Sequence, residues 1–241
     1  LIEFVDQTGS TNADLVSRLR SGEALADGHW LVADRQVAGR GRQGRIWSDG
    51  MGNFMGSCVV RLRPDDPPAP SLSFIAALAV FDAAAPLITA AHRLDLKWPN
   101  DVFLNGGKLA GILLERVGDC VVIGIGVNLV SAPELPDRPT SSLAKAGAVI
   151  DRDTFARNLA AALTTQVGLW REQFGLAAAL AGFLHRSRHQ IGALTTVHVG
   201  AGEQVTGRFA GLQQSDGALC LRMDDGSERI IHAGDIILEG D

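Results

Sequence analysis

The chain has 241 residues, 46% of them hydrophobic and 20% charged, and a formal net charge of -5. Those values describe a soluble globular protein with a real core, in one large or two smaller domains, and argue against a chain that works by gripping nucleic-acid phosphates. No run of about 18 uncharged apolar residues marks a transmembrane helix, and residues 1–6 lack the basic start and apolar middle of a signal peptide.

Ser10-Thr11-Asn12 offers N-cap side chains to a short amphipathic helix over residues 13–20, with Leu15, Val16 and Leu19 on one face and a stop at Gly22. Residues 30–33 read as a strand. Residues 39–52 are rich in glycine and arginine with no apolar period, which predicts a loop. A strand over 53–62 and a turn region at 64–70 lead to an alanine-rich buried helix over 72–85. Short apolar runs then predict strands at 94–98, 102–104, 108–115 and 120–127, with Asn105-Gly106-Gly107 as a hairpin signal. Helix returns over 153–174 and 177–185. Strands grouped between helical regions predict an α+β fold, a mixed sheet covered by helices, rather than a regular βαβ winding. After Gln190, short β runs at 195–199, 204–209, 218–222 and 228–232 are punctuated by Gly200, Gly202, Gly217 and Gly226. They predict a small β-barrel module, dividing the chain into domains 1–188 and 189–241. Cys58, Cys120 and Cys220 are far apart and inside apolar runs, reading as buried thiols of a cytoplasmic protein rather than disulfides or zinc ligands. His185 and His189 stand one helical turn apart without a third ligand and read as a solvated basic face.

Four stretches carry chemistry. In Gly39-Arg40-Gly41-Arg42-Gln43-Gly44-Arg45-Ile46-Trp47 the glycines let backbone N–H groups approach an anion, and the arginines can fork onto phosphate or carboxylate oxygens. Taken alone, a solvated basic loop explains it equally well. The glycine spacing matches a dinucleotide-binding loop only formally, because no helix pattern follows. Lys97-Trp98-Pro99-Asn100-Asp101 puts a cation and a carboxylate around a turn, with Asp101 able to meet Mg²⁺, accept a proton, or merely cap the turn. Lys108, between a hairpin turn and an apolar strand, either projects a charge into a pocket or solubilises the strand end; in isolation the second reading is the stronger. In Gly124-Ile125-Gly126-Val127-Asn128 the strand glycines leave room for a ligand against the backbone, and Asn128 reads a base edge or caps the strand.

In this order the four motifs resemble the biotin protein ligase family, whose catalytic domain carries Gly-Arg-Gly-Arg-x-Gly-Arg-x-Trp, Lys-Trp-Pro-Asn-Asp, Lys-x-Ala-Gly-Ile-Leu and Gly-Ile-Gly-x-Asn. The resemblance covers the whole chain. It implies a catalytic domain of the class II synthetase and biotin/lipoate ligase kind, followed by an SH3-like β-barrel. The implied activity joins biotin to ATP, with Mg²⁺, and passes the biotin to a lysine of a biotin carboxyl carrier protein or domain. By the same resemblance Lys108, Arg40, Arg42 and Asp101 form the catalytic set. Ser10, Thr11, Asn12, Gln36, Gly39, Arg40, Gly41, Lys108, Gly111, Leu113, Gly124 and Gly126 surround biotin. Arg42, Arg45, Trp47, Lys97, Asn100, Lys108 and Asn128 lie on the adenylate side. No stable protein metal site is implied, since Mg²⁺ accompanies ATP, with Asp101 as the carboxylate able to touch it. Neither DNA nor membrane is an expected partner: Ser10-Thr11-Asn12 comes too early to leave space for a helix-turn-helix. Monomer and homodimer both remain open. The competing readings are a lipoate or octanoate ligase or transferase of the same fold, and a catalytically silent regulator that binds biotinyl-adenylate.

Overall fold

The computed structural model describes residues 1–136, 138–200 and 202–237. A seven-stranded sheet runs in the order β1 (Ile2–Thr8), β2 (Trp30–Gln36), β3 (Phe54–Arg61), β7 (Cys120–Val127), β6 (Gly107–Val117), β5 (Asp101–Leu104), β4 (Leu94–Lys97). β1 and β2 are parallel and the remaining pairs antiparallel. Between β5 and β6, Asn105 and Gly106 have φ of 50° and 85°, the left-handed pair that a two-residue hairpin turn requires.

Strand alternation divides this sheet between two jobs. On one face Val121, Ile123, Ile125 and Val127 of β7, with Cys58 and Val60 of β3, join the main core under α2 (Leu72–Ala84), α3 (Arg152–Trp170) and α4 (Gly175–His185). The apolar segment Ala69–Leu87 that contains α2 is long enough to cross a membrane by length and composition, yet 67% of its window is buried inside the fold, as a core helix would be. On the opposite face Val122 and Cys120 of β7, Val59 of β3 and Leu31 of β2 pack against Leu15 and Val16 of α1 (Thr11–Arg20). Two positions further along β7 that second face meets Gly124 and then Gly126, where side chains stop.

A second, five-stranded antiparallel sheet follows, in the order β11 (Glu228–Ile231), β10 (Leu219–Arg222), β9 (Glu203–Leu212), β8 (Leu194–Gly200), β12 (Asp235–Ile237). It docks on the first unit through Gly217, whose carbonyl accepts a hydrogen bond from Trp98 Nε1 at 3.1 Å. An α+β architecture with a C-terminal β module is therefore what the chain adopts.

Several elements differ from the sequence reading. β1 and β12 have no counterpart in it: β1 is a half-exposed edge strand interrupted by Glu3 and Asp6, and β12 has three residues. The long helix ends at Trp170, and Phe174, at φ 65°, turns the chain before α4 begins. His185 and His189 do not share a solvated helical face. His185 is exposed at the end of α4, whereas His189 lies beyond the helix, 8% exposed, with its ring 6.1 Å from that of Phe209.

Candidate active site

Where β7 turns to glycine the sheet forms the floor of a cavity of about 490 Å³. Gly126 pairs with Gly111 across β6, and Gly124 pairs with Leu113 there and with Ser57 of β3. A methyl group on Gly126 would lie 2.2 Å from Trp47 Cε2, and one on Gly111 would lie 3.1 Å from Trp47 Cζ3. The indole thus rests flush on backbone, an approach that only glycine permits.

One end of the cavity is polar and built at the start of α1. Gln36 Oε1 accepts from the Thr11 N–H at 2.8 Å and from Thr11 Oγ1 at 3.0 Å, and Thr11 Oγ1 lies 2.8 Å from Ser57 Oγ. Asn12 donates through Nδ2 to Glu115, while its buried Oδ1 has no hydrogen-bond partner among the described residues and sits above Gly124. These hydroxyls and amides form a compact donor and acceptor set of the kind that reads a small polar head group.

The other end is ionic. Lys108 Nζ is 2.7 Å from Asp101 Oδ1, and each side chain is 17% exposed. The backbone of Lys108 is held on both sides, its N–H donating to Pro139 O and its carbonyl accepting from Ser141 N–H, each at 2.9 Å. Asn128 Nδ2 donates to Ser141 O at 3.1 Å, fastening the same segment. An ammonium has three N–H donors, so Lys108 retains capacity for an anionic ligand beside Asp101.

Residues 39–52 cross above the floor. A three-residue 3₁₀ turn, Arg42–Gly44, is closed by an Arg40–Ile46 bridge and by the Gly41 N–H donating to Arg45 O at 2.8 Å. Arg42 Nη1 donates to Asn100 Oδ1 at 3.0 Å, and Asn100 Nδ2 donates in turn to Ile112 O at 2.6 Å. Arg45 Nη2 is 2.5 Å from Asp235 Oδ2. Among the described residues, the basic side chains of Arg40, Arg42, Arg45, Lys108 and Arg138 stand around the cavity against the carboxylates of Asp101 and Asp235. That surplus of cations favours an anionic ligand at this end.

Of the residues singled out from sequence, Ser10, Thr11, Asn12, Gln36, Arg40, Gly41, Arg42, Arg45, Trp47, Asn100, Asp101, Lys108, Gly111, Leu113, Gly124, Gly126 and Asn128 all line this cavity. Two do not. Gly39, at the start of the loop, is packed against the backbone of Trp47, where a methyl group would meet Trp47 O at 2.8 Å. Lys97 is outside the wall, its ammonium 5.3 Å from the centre of the Phe103 ring. The sequence reading missed Ser57, Pro133, Leu135, Arg138, Thr140 and Asp235. Ser57, a polar residue amid the apolar run of β3, was detectable by alternation; Asp235 carries no local signal at all.

Residues 4–128 match the Biotin/lipoate A/B protein ligase family, and residues 196–239 match the Biotin protein ligase C terminal domain. The chain is 39% identical to a biotin--[acetyl-CoA-carboxylase] ligase of Mycobacterium tuberculosis, over 98% of this chain and 88% of that one. It is 38% identical to the enzyme of the same name from Paracoccus denitrificans, over 97% and 99% of the two chains. In fold it is similar to the biotin protein ligase from Aquifex aeolicus solved with biotin and ATP, with a TM-score of 0.82 and 23% identity, covering 98% of this chain and 97% of that one. Near-full-length relatives, together with a matched catalytic region and a matched C-terminal region, place this chain in the biotin/lipoate A/B protein ligase family.

Proposed function

We infer that the chain is an ATP-dependent biotin protein ligase. It converts biotin and ATP to biotinyl-5′-AMP and pyrophosphate, then transfers the biotinyl group to a lysine of a carrier domain. The observation that carries the assignment of roles is the Lys108–Asp101 pair, set where a bare glycine floor meets an arginine loop.

The apolar floor at Gly111, Leu113, Gly124 and Gly126 accepts the flat bicycle and valeryl chain of biotin. Thr11, Asn12, Ser10 and Gln36 face its ureido ring, with Asn12 Oδ1 supplying an acceptor. The biotin carboxylate then lies at Lys108. In the first step a carboxylate oxygen attacks the α-phosphorus of ATP, the P–O bond to the β-phosphate breaks, and pyrophosphate leaves. Two anions must meet in this step. Lys108 offsets their repulsion between carboxylate and α-phosphate, while Arg40, Arg42 and Arg45 receive the charge that grows on the leaving group. Magnesium enters with ATP as part of the substrate. Trp47, Asn100 and Asn128 bound the adenylate side, and Lys97 acts there only through the strand it shares with the turn.

In the second step the amine of the carrier lysine attacks the acyl carbon and AMP departs. Asp101 orients that amine and is the carboxylate placed to take its proton. The mixed anhydride hydrolyses readily, so a loop lying over the floor has a chemical purpose. The acceptor is the biotin carboxyl carrier of a biotin-dependent carboxylase, as the names of the relatives indicate. The site of action is the cytoplasm, and the domain division falls at residue 188.

Pyrophosphate release from MgATP with biotin, lipoate or octanoate, each alone, tests this reading, followed by mass spectrometry of the retained product. The expected result is a response to biotin only, with biotinyl-5′-AMP bound. A lipoate or octanoate response would move the chain to the sister activity, and tight biotin binding without turnover would make it a silent regulator.

A further inference from the structure

Asp235 is the one carboxylate that the C-terminal module places in the cavity wall among the described residues, and it faces the arginine loop. Its Oδ2 is 2.5 Å from Arg45 Nη2, and its Oδ1 is 3.8 Å from Arg42 Nη1. The compact 3₁₀ turn brings both guanidinium groups to this single carboxylate, because Arg45 N–H donates back to Arg42 O at 3.2 Å. The position of Asp235 is itself fixed. It pairs with His198 of β8, and a methyl group on the preceding Gly234 would lie 2.6 Å from His198 O, so the chain there is held tightly against β8. The module in turn is anchored to the turn before Asn100 by the Trp98–Gly217 hydrogen bond.

A carboxylate and a polyphosphate cannot both be the main partner of the same two guanidinium groups. Each guanidinium N–H that Asp235 holds must be released before a phosphate oxygen accepts from it, and the two anions repel at short range. We propose that Asp235 is a positioning residue that holds the loop through Arg42 and Arg45 before nucleotide arrives, and that the phosphates of MgATP displace it. The C-terminal module thereby sets the apparent affinity for ATP while touching no reacting atom. This rests on the assignment of Arg42 and Arg45 to the phosphates.

The test is Asp235→Asn, which keeps the shape of the strand and removes the charge. Because Arg45 and Asp235 are 44% and 30% exposed, solvent screening limits the effect. The KM for MgATP at saturating biotin should fall roughly three- to five-fold. The gap between variant and parent should narrow as salt rises, since salt weakens the ion pair in the parent alone. Trypsin should cut the nucleotide-free loop faster in the variant, at Arg40, Arg42 or Arg45, and Asp235→Glu should return both readouts toward the parent. An unchanged or raised KM, or an unchanged cutting rate, overturns the proposal. Arg42→Ala and Arg45→Ala separate the two levels of inference. If they raise the KM while Asp235→Asn does nothing, only the displacement idea fails. If neither raises it, the phosphate assignment is wrong and the displacement idea falls with it.

Discussion

Replacing Lys108 with methionine removes one charge and keeps most of the volume, so its two consequences can be separated and sized. The first is structural. The ammonium stands 2.7 Å from Asp101 Oδ1 with both side chains 17% exposed. Stripping the partner from a fully buried ion pair costs about 3–5 kcal/mol, whereas exposed pairs contribute about 0.2–1 kcal/mol. A pair this sheltered falls between, at about 2 kcal/mol, which a domain stable by about 5–15 kcal/mol survives. The second is kinetic: losing one preorganised cation from the transition state lowers the rate about 10²–10³-fold. Single-turnover pyrophosphate release should therefore collapse in a variant whose urea melt still shows a cooperative fold. The double variant Lys108→Met with Asp101→Asn removes the stranded carboxylate as well. Stability should return most of the way while adenylate formation stays absent. The reasoning is refuted if Lys108→Met alone keeps more than a tenth of the parent rate. It is refuted equally if the double variant regains adenylate formation, since the harm would then have come from the orphaned Asp101.

Gly126→Ala places a methyl group 2.2 Å from Trp47 Cε2, so the indole must leave the floor. Trp30, Trp98 and Trp170 are at most 3% exposed, and a red shift of tryptophan emission would report Trp47 alone; an unshifted spectrum with full activity would contradict the packing described. Gly217→Ala adds a methyl group 2.2 Å from Phe74 Cε2 at a residue with φ of 79°. Overpacking and the left-handed backbone together should destabilise the junction between the units by about 2–4 kcal/mol, read as a lowered midpoint of thermal unfolding. Glu3 ties β1 to α1 through Arg18 at 2.9 Å, and that guanidinium hydrogen bond holds its carboxyl below the usual carboxylate range. The stabilisation is present above the unfolded-state value and is lost as pH falls through the lower folded value. Glu3→Gln should thus cost roughly 0.5 kcal/mol at neutral pH, given that Glu3 is 39% exposed, and nothing in strong acid. Paired urea melts across that range check it, and a difference that grew on acidification would refute the sign.

The site was legible where chemistry and local pattern coincide. Arg42 and Arg45 sit in a motif whose pattern alone raised anion binding, Lys108 was assigned to it by the family resemblance, and the structure gathers all three around one cavity. Lys97 shows the limit of such reading, because a cation in a motif says nothing of which strand face it takes. Its ammonium lies over Phe103 instead. His189 shows another: its spacing from His185 suggested one helical face, but the helix ends at His185 and the later ring is buried on Phe209. β1 escaped because a half-exposed edge strand need not alternate cleanly. Its pairing partner β2 lies more than twenty residues away in sequence. Asp235 is a surface acid in a three-residue strand until the module docks, so only tertiary structure makes it part of the site.

The division of labour along β7 explains why this sheet can be both scaffold and reaction floor. Its odd-numbered residues stay in the main core throughout, from Val121 to Val127, so the strand is anchored along that length. Its even-numbered residues change from valine under α1 to glycine, Gly124 under Asn12 and Gly126 under Trp47, and that change opens the cavity while the opposite face stays in the core. An enzyme that must hold a water-sensitive anhydride and then admit a carrier lysine needs a floor that does not move and a cover held by reversible contacts. Here the floor is backbone hydrogen-bonded in a seven-stranded sheet, while the cover is held by one indole, by polar contacts such as Arg42 to Asn100, and by ion pairs to Asp235. Ion pairs at partly exposed positions are weak enough for substrate charge to compete with them, which hydrophobic packing of the same loop would not allow. Arginine at positions 42 and 45 therefore suits two demands with one side-chain type: both guanidinium groups face Asp235, and the same fork is the shape that phosphate oxygens accept from.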